Sequence, residues 1–162
     1  MELKEIKDTK QLNEELDGLS KLLKTVVDEG ASLGFLPPLA QEQALTYWQT
    51  ILAPEVILFI AKINQTVAGS IQLMTKPNGR HRAEICKLMT HPDFRRHGIG
   101  RALMQIAEER AKQENRSLIV LDTREDDPSN QLYQSLDYRE VGKIPAYSKG
   151  ELETTVIYYK LI

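Results

Sequence analysis

The chain has 162 residues, 41% hydrophobic and 27% charged, which suits one soluble domain with a single buried core, and we expect one unit over residues 1–162. Its net charge of −2 speaks against nucleic acid as the main partner, because domains that hold a polyphosphate chain are normally basic. The single cysteine, Cys86, excludes an intrachain disulfide and a cysteine-based zinc site, and it agrees with a reducing cytoplasm.

In chain order, the opening MELKEIKDTK is charged and shows no apolar stretch of the kind a secretory leader needs. Residues 3–6 form a candidate first strand. Asp8 or Thr9 can N-cap a helix, along which Leu12, Leu16, Leu19, Leu23 and Val26 recur at helical spacing until Gly30. The segment GASLGFLPP, 30–38, is a loop by its Gly and Pro content. Ala40, Ala44, Trp48 and Leu52 mark a second helix. Residues 56–63 are β-branched and aromatic and predict a strand. Its longest apolar run, 56–61, is too short to span a bilayer. Asn64-Gln65 turns the chain into a strand at 67–75, and Lys76-Pro77-Asn78-Gly79 turns it again into 82–89, which completes a meander. A helix from 99 to about 115 carries the stripe Ile99, Leu103, Ile106 and Ala107. SLIVLD, 117–122, has the unbroken apolar character of a buried parallel strand. A short helix at 129–136 comes next, then strands at 138–143 and 154–161. The order βααβββαβαββ is an α+β arrangement. It predicts a mixed β-sheet flanked by helices, antiparallel in its first half, with a strand-helix-strand crossover in its second.

Arg95-Arg96-His97-Gly98-Ile99-Gly100-Arg101 joins a strand to the start of a helix. Gly98 and Gly100 allow a close backbone approach. The free N–H groups of the helix start, with about half a positive charge from the dipole, make an anion cradle suited to a pyrophosphate. Arg95, Arg96 and Arg101 add charge beside it. The glycine spacing alone is a weak signal, equally at home in an ordinary helix start. A Walker A loop is ruled out because no Gly-Lys-Ser/Thr string exists. A Rossmann loop would need a third glycine where Leu103 stands, although Asp122 lies at roughly the distance of a dinucleotide-binding acid.

The string Arg95-Arg96-His97-Gly98-Ile99-Gly100 after LMTHPDF, with Asn130 and Tyr133 in SNQLYQSLDY, resembles the GNAT superfamily of N-acetyltransferases, most clearly over 82–138. Asp137-Tyr138 departs from the Gly-Phe pair common there. The resemblance implies acetyl-CoA as cosubstrate. Its site would comprise Leu88, Met89 and Thr90 along the pantetheine arm, Arg95, Arg96, His97, Gly98, Ile99, Gly100 and Arg101 at the pyrophosphate, and Asn130 and Tyr133. It also implies Glu84 as general base, Tyr133 as the acid at the CoA sulfur, and the Leu88 N–H as oxyanion donor. The strings GASLGF, KPNG, RAEICKLM and LDT are similar to those of the family's tabtoxin-resistance members, which acetylate a β-lactam amino-acid toxin. That narrower resemblance implies a small amino-acid-like amine as acceptor. Asp122 would be a second base or an ammonium anchor, and Ser32, Gly34 and Phe35 would line the acceptor site.

The chemistry sets the same demands. Deprotonating an alkyl amine of pKa ~10.4 at neutral pH costs roughly 4–5 kcal/mol, so a base is the first requirement, and an acid for the thiolate the second. Cys86 has no partnering base at useful range and reads as a buried strand residue. His81, His91 and His97 lack metal-ligand spacing, so no metal is expected. A protein or peptide acceptor and a non-catalytic acyl-CoA-binding module are the competing readings, and a homodimer is compatible with either.

Overall fold

A computed structural model describes residues 1–31, 33–76, 78–148 and 153–162. Its strands are β1 (Glu2–Ile6), β2 (Val56–Ile63), β3 (Thr66–Thr75), β4 (Arg82–Thr90), β5 (Leu118–Arg124), β6 (Arg139–Ile144) and β7 (Thr155–Leu161). Its α-helices are α1 (Thr9–Asp28), α2 (Gln41–Gln49), α3 (Ile99–Gln113) and α4 (Ser129–Ser135). The chain order is the one predicted. The strands form one mixed sheet, β1-β2-β3-β4-β5-β7-β6, in which β4 and β5 are parallel and every other neighbouring pair is antiparallel.

Alternation along the central strands builds a core on each face of this sheet. Leu58 and Ile60 of β2 pack with Leu12, Leu19, Leu22, Leu23 and Val26 of α1 and Trp48 of α2. Ile57, Phe59 and Ala61 pack on the other face with Ile99, Leu103, Met104 and Ala107 of α3 and Tyr133 of α4. Asp8 caps α1, its carboxylate accepting from the Gln11 N–H at 2.8 Å. The second helix stops at Gln49, short of Leu52. The Thr50 hydroxyl bonds back to the carbonyls of Thr46 and Tyr47, and Pro54 disfavours helical backbone at Ala53. Leu52 still packs against the core from the next loop. At the other end, β5 runs two residues past Asp122, to Arg124.

Two features of β4 shape what surrounds it. Cys86 pairs with Gln72 and Met89 with Ser70, so Lys87 and Leu88 together face the single residue Ile71. This is a β-bulge, and Lys87 carries its strain at φ 52°. The extra residue resets the alternation: Ile85 and Leu88 pack on the α3 face, whereas Met89 packs on the α1 face. On the other side, β4 pairs with β5 only from Arg82–Leu118 to Ile85–Leu121. Beyond that point the two strands part.

Gly69 of β3 is what lets α3 begin close to this parting. A Cβ there would lie 2.7 Å from Ile99 Cγ2 and 2.8 Å from the Met89 carbonyl oxygen. We expect Gly69→Ala to destabilise the protein by about 1–3 kcal/mol through overpacking. Gly142→Ala, where a Cβ meets nothing within 4 Å, should change the denaturant midpoint little. Equal midpoints for the two variants would refute this account of Gly69.

Candidate active site

From Cys86 onward, the edge of β4 facing β5 has no strand partner. That edge is open to pairing by an extended ligand arm laid along it as an added strand. Glu84 and Cys86 point to the α1 face by alternation, and the bulge adds Lys87 to them. Asp122 is the first residue of β5 past the last β4 partner, Leu121. Cys86 and Asp122 lie within electrostatic reach of each other and of both Glu84 and Lys87. The Asp122 carboxyl is raised above its ordinary value, first by partial burial and then by the neighbouring Glu84 carboxylate, with Lys87 acting in the opposite sense. Burial, then Glu84 and Asp122, push the Cys86 thiol up to about 12. At neutral pH it therefore stays a thiol, the reverse of an activated nucleophile.

Behind the cleft, Tyr133 is only 5% exposed and packs edge-on against Tyr138 and obliquely against Tyr158. Burial raises its phenol, with a smaller opposing contribution from Ser129, so the hydroxyl keeps its proton. Asn130 is committed to the loop between β5 and α4. Its amide donates to the carbonyls of Arg124 and Asp127 and accepts from the Tyr158 hydroxyl at 2.7 Å. Its polar atoms thus fix the approach of α4, and Tyr133 with it.

At the cleft's far end, the short 3₁₀ turn Pro92–Phe94 and a left-handed Gly98 (φ 76°) deliver the chain into α3. The first α3 bond runs from the Ala102 N–H to the Gly98 carbonyl, which leaves the N–H groups of Ile99, Gly100 and Arg101 ahead of it. The Ile99 side chain is buried in the core, so only its backbone faces outward chemistry. Gly98 serves the turn. Gly100 serves close packing: a Cβ there would lie 3.1 Å from Leu132 of α4 and 3.8 Å from the Thr90 hydroxyl. Arg95 pairs with Glu29 at 2.9 Å, Arg101 donates to the Ser135 hydroxyl at 2.8 Å, and His97 Nδ1 lies 2.8 Å from the Arg95 carbonyl. Arg96 sits at φ 65° inside the turn.

On the acceptor side, Gly34 (φ 84°) and Phe35 lie beside Lys87, whereas Ser32 falls outside the described residues. Sequence reasoning missed three residues here: Lys87, Tyr47 and Gln72. The Gln72 amide donates to the Tyr47 hydroxyl at 2.8 Å, and Tyr47 packs edge-on against Phe35. Strict alternation would have sent Lys87 to the opposite face, and only the bulge reveals it.

A model of the acetyltransferase (GNAT) family matches residues 20–138. Over 116 residues the chain is 31% identical to an uncharacterized N-acetyltransferase in the hisH-hisA intergenic region of Azospirillum brasilense, covering 68% of this chain and 69% of that one. Among solved structures, a ribosomal-protein-alanine N-acetyltransferase from Brucella melitensis superposes over 100% of both chains with a TM-score of 0.82 at 16% identity. A protein from Salmonella typhimurium, solved with its cofactor acetyl-CoA, matches over 99% of this chain and 94% of its own, with a TM-score of 0.77 at 14% identity. The chain belongs to the GNAT acetyltransferase family and is an acetyl-CoA-dependent N-acetyltransferase of that class.

The raised thiol makes a definite prediction. Cys86→Ala should retain acetyl transfer and show no burst of product. Loss of turnover in that variant, or a trapped acetyl-cysteine in the parent enzyme, would establish the covalent route instead.

Proposed function

We propose that the parting of β4 and β5 is where the thioester of acetyl-CoA meets a small, amino-acid-like primary amine, and that the chain works as one catalytic unit over 1–162 in the cytoplasm. The observation that carries this reading is that two carboxylates, Glu84 and Asp122, flank the point where β4 loses its partner strand. Among the described residues no helix is long and apolar enough to cross a membrane.

In this reading the pyrophosphate rests on the α3 start, against the N–H groups of Ile99, Gly100 and Arg101 and beside Arg95, Arg96 and His97. The dipole and the amides supply most of the attraction. The pantetheine arm runs along Leu88, Met89 and Thr90, and the Leu88 N–H faces the thioester oxygen. A donor in that role is worth about 10²–10³ in rate. The acceptor ammonium enters between Glu84 and Asp122. Asp122, raised by burial and by Glu84, is better matched as a base than an ordinary aspartate, because its proton affinity is shifted toward that of the amine. Glu84 holds the ammonium and relays its proton. The amine nitrogen then attacks the carbonyl carbon directly, and the C–S bond breaks as the oxyanion collapses. A phenol raised by burial gives up its proton reluctantly, so Tyr133 acts first as a hydrogen-bond donor to the departing sulfur. Asn130 holds α4, and hence Tyr133, in place.

Acetyl-CoA at 100 times its Kd should raise stability by about 2.7 kcal/mol, with NAD at the same concentration giving no shift. Glu84→Gln, Asp122→Asn and Tyr133→Phe should keep that shift while lowering kcat on an amine found by screening. Wild-type kcat in all three would remove these roles. The rate should rise with pH as the base loses its proton, through a limb centred above the ordinary aspartate value of 3.8. Asp122→Asn should abolish or move that limb, and an unchanged limb would transfer the role to another group.

A further inference from the structure

Lys87 stands in the cleft without an obvious reason to be charged. The bulge turns it onto the face that carries Glu84 and Cys86, in left-handed backbone at φ 52°. Its ammonium donates to the Leu33 carbonyl and lies 5.6 Å from the Phe35 ring centroid and 6.0 Å from that of Tyr47. None of the ion pairs among the described residues involves it. An ammonium has three N–H donors; the Leu33 carbonyl takes one, and the two rings, with centroids 5.6 and 6.0 Å away, are too distant to occupy the others, so donor capacity is left over. Burial lowers its affinity for a proton, and Cys86 and Asp122 pull the other way.

A residue needed only to hold the 33–35 loop would do so more cheaply without a charge, because a half-buried ammonium with no carboxylate in direct ion-pair contact recovers only part of its desolvation cost. Strained backbone that places a partly satisfied cation in a cleft is the pattern expected of a ligand contact. The neighbouring carboxylates fix which ligand. Glu84 and Asp122 suit an acceptor's ammonium, and a cation beside them suits an anion on the same molecule.

We propose that Lys87 is the specificity-determining residue of the acceptor site: it takes a carboxylate of the acceptor while Glu84 and Asp122 take the amine, so the substrate class is a zwitterionic amino acid. This rests on the assignment of the acceptor amine to Glu84 and Asp122.

The test pairs amino acids with the amines left when their carboxylate is removed, in the wild-type enzyme and in Lys87→Met and Lys87→Gln. Lys87→Gln keeps a donor for the Leu33 carbonyl and removes only the charge. Stabilisation by acetyl-CoA checks that each variant is folded and binds cosubstrate. The wild type should favour the carboxylate-bearing member of each productive pair in kcat/KM. Both variants should lose about 30-fold or more of that preference, chiefly through KM for the acceptor, with KM for acetyl-CoA unchanged. A wild-type enzyme that prefers the decarboxylated amines, or a Lys87→Gln variant that keeps the preference, overturns the proposal. Acetyl-CoA binding without transfer to any amine in either set would instead overturn the catalytic assignment of the cleft, and this inference with it.

Discussion

The loss of pairing between β4 and β5 after Ile85 and Leu121 is the constraint on which the rest of the structure depends. A sheet interior leaves no backbone group free, because each N–H and C=O must find a partner once water is excluded. Here the partner strand leaves while β4 continues for five more residues, to Thr90. The groups exposed by that departure leave a slot along β4 open to a partner from outside the sheet. Such a slot offers directional donors already fixed in position, which is what an oxyanion and an extended amide-bearing arm require.

The bulge at Lys87 and the parting of the strands act together. Without the extra residue, Lys87 would lie on the α3 face and Leu88 would take its place toward the loop. With it, the α1 face collects Glu84, Cys86 and Lys87 around Asp122. Burial first, and then the neighbouring carboxylates, raise both Asp122 and Cys86 against the opposing pull of Lys87, but with opposite consequences. A raised carboxyl becomes a stronger base, whereas a raised thiol becomes inert. The same field therefore favours proton abstraction and disfavours a covalent detour through Cys86.

Much of this could be read from residue types. The periodicity of α1, the turn at Asn64-Gln65 and the unbroken apolar run of β5 gave every element in order, because each rests on local pattern. The turn into α3 that we propose holds the pyrophosphate was marked by Gly98 and the arginines, and Glu84 and Asp122 by their places on adjoining strands. Three things were not legible. The end of α2 depended on a Thr50 side chain bonding back to its own helix. The use of Gly100 depended on the approach of Leu132. The orientation of Lys87 depended on a register shift against β3, a non-local event that leaves no trace in the sequence around residue 87. Tyr47 went unnoticed for a related reason. It flanks the buried stripe of α2, and its importance comes only from Gln72 and Phe35 arriving beside it.

With the pyrophosphate placed at the α3 start, as we propose, the electrostatics there resolve an apparent conflict, since a chain of net charge −2 must hold a polyanion. Attraction here does not require a basic protein. Backbone dipoles act at contact distance, whereas exposed carboxylates elsewhere on the surface are screened by salt over about 8–10 Å. The arginines complete the arrangement without fixing it. Arg95 and Glu29 are each about half exposed, and a surface pair of this kind contributes about 0–1 kcal/mol. Exchanging that partner for a phosphate therefore costs little, and the same holds for the exposed bond from Arg101 to Ser135. The buried Ile99 holds the amides still while the charged side chains around them stay free to change partners. That division between a rigid, neutral cradle and adaptable charges suits a cosubstrate that must bind and leave in every cycle.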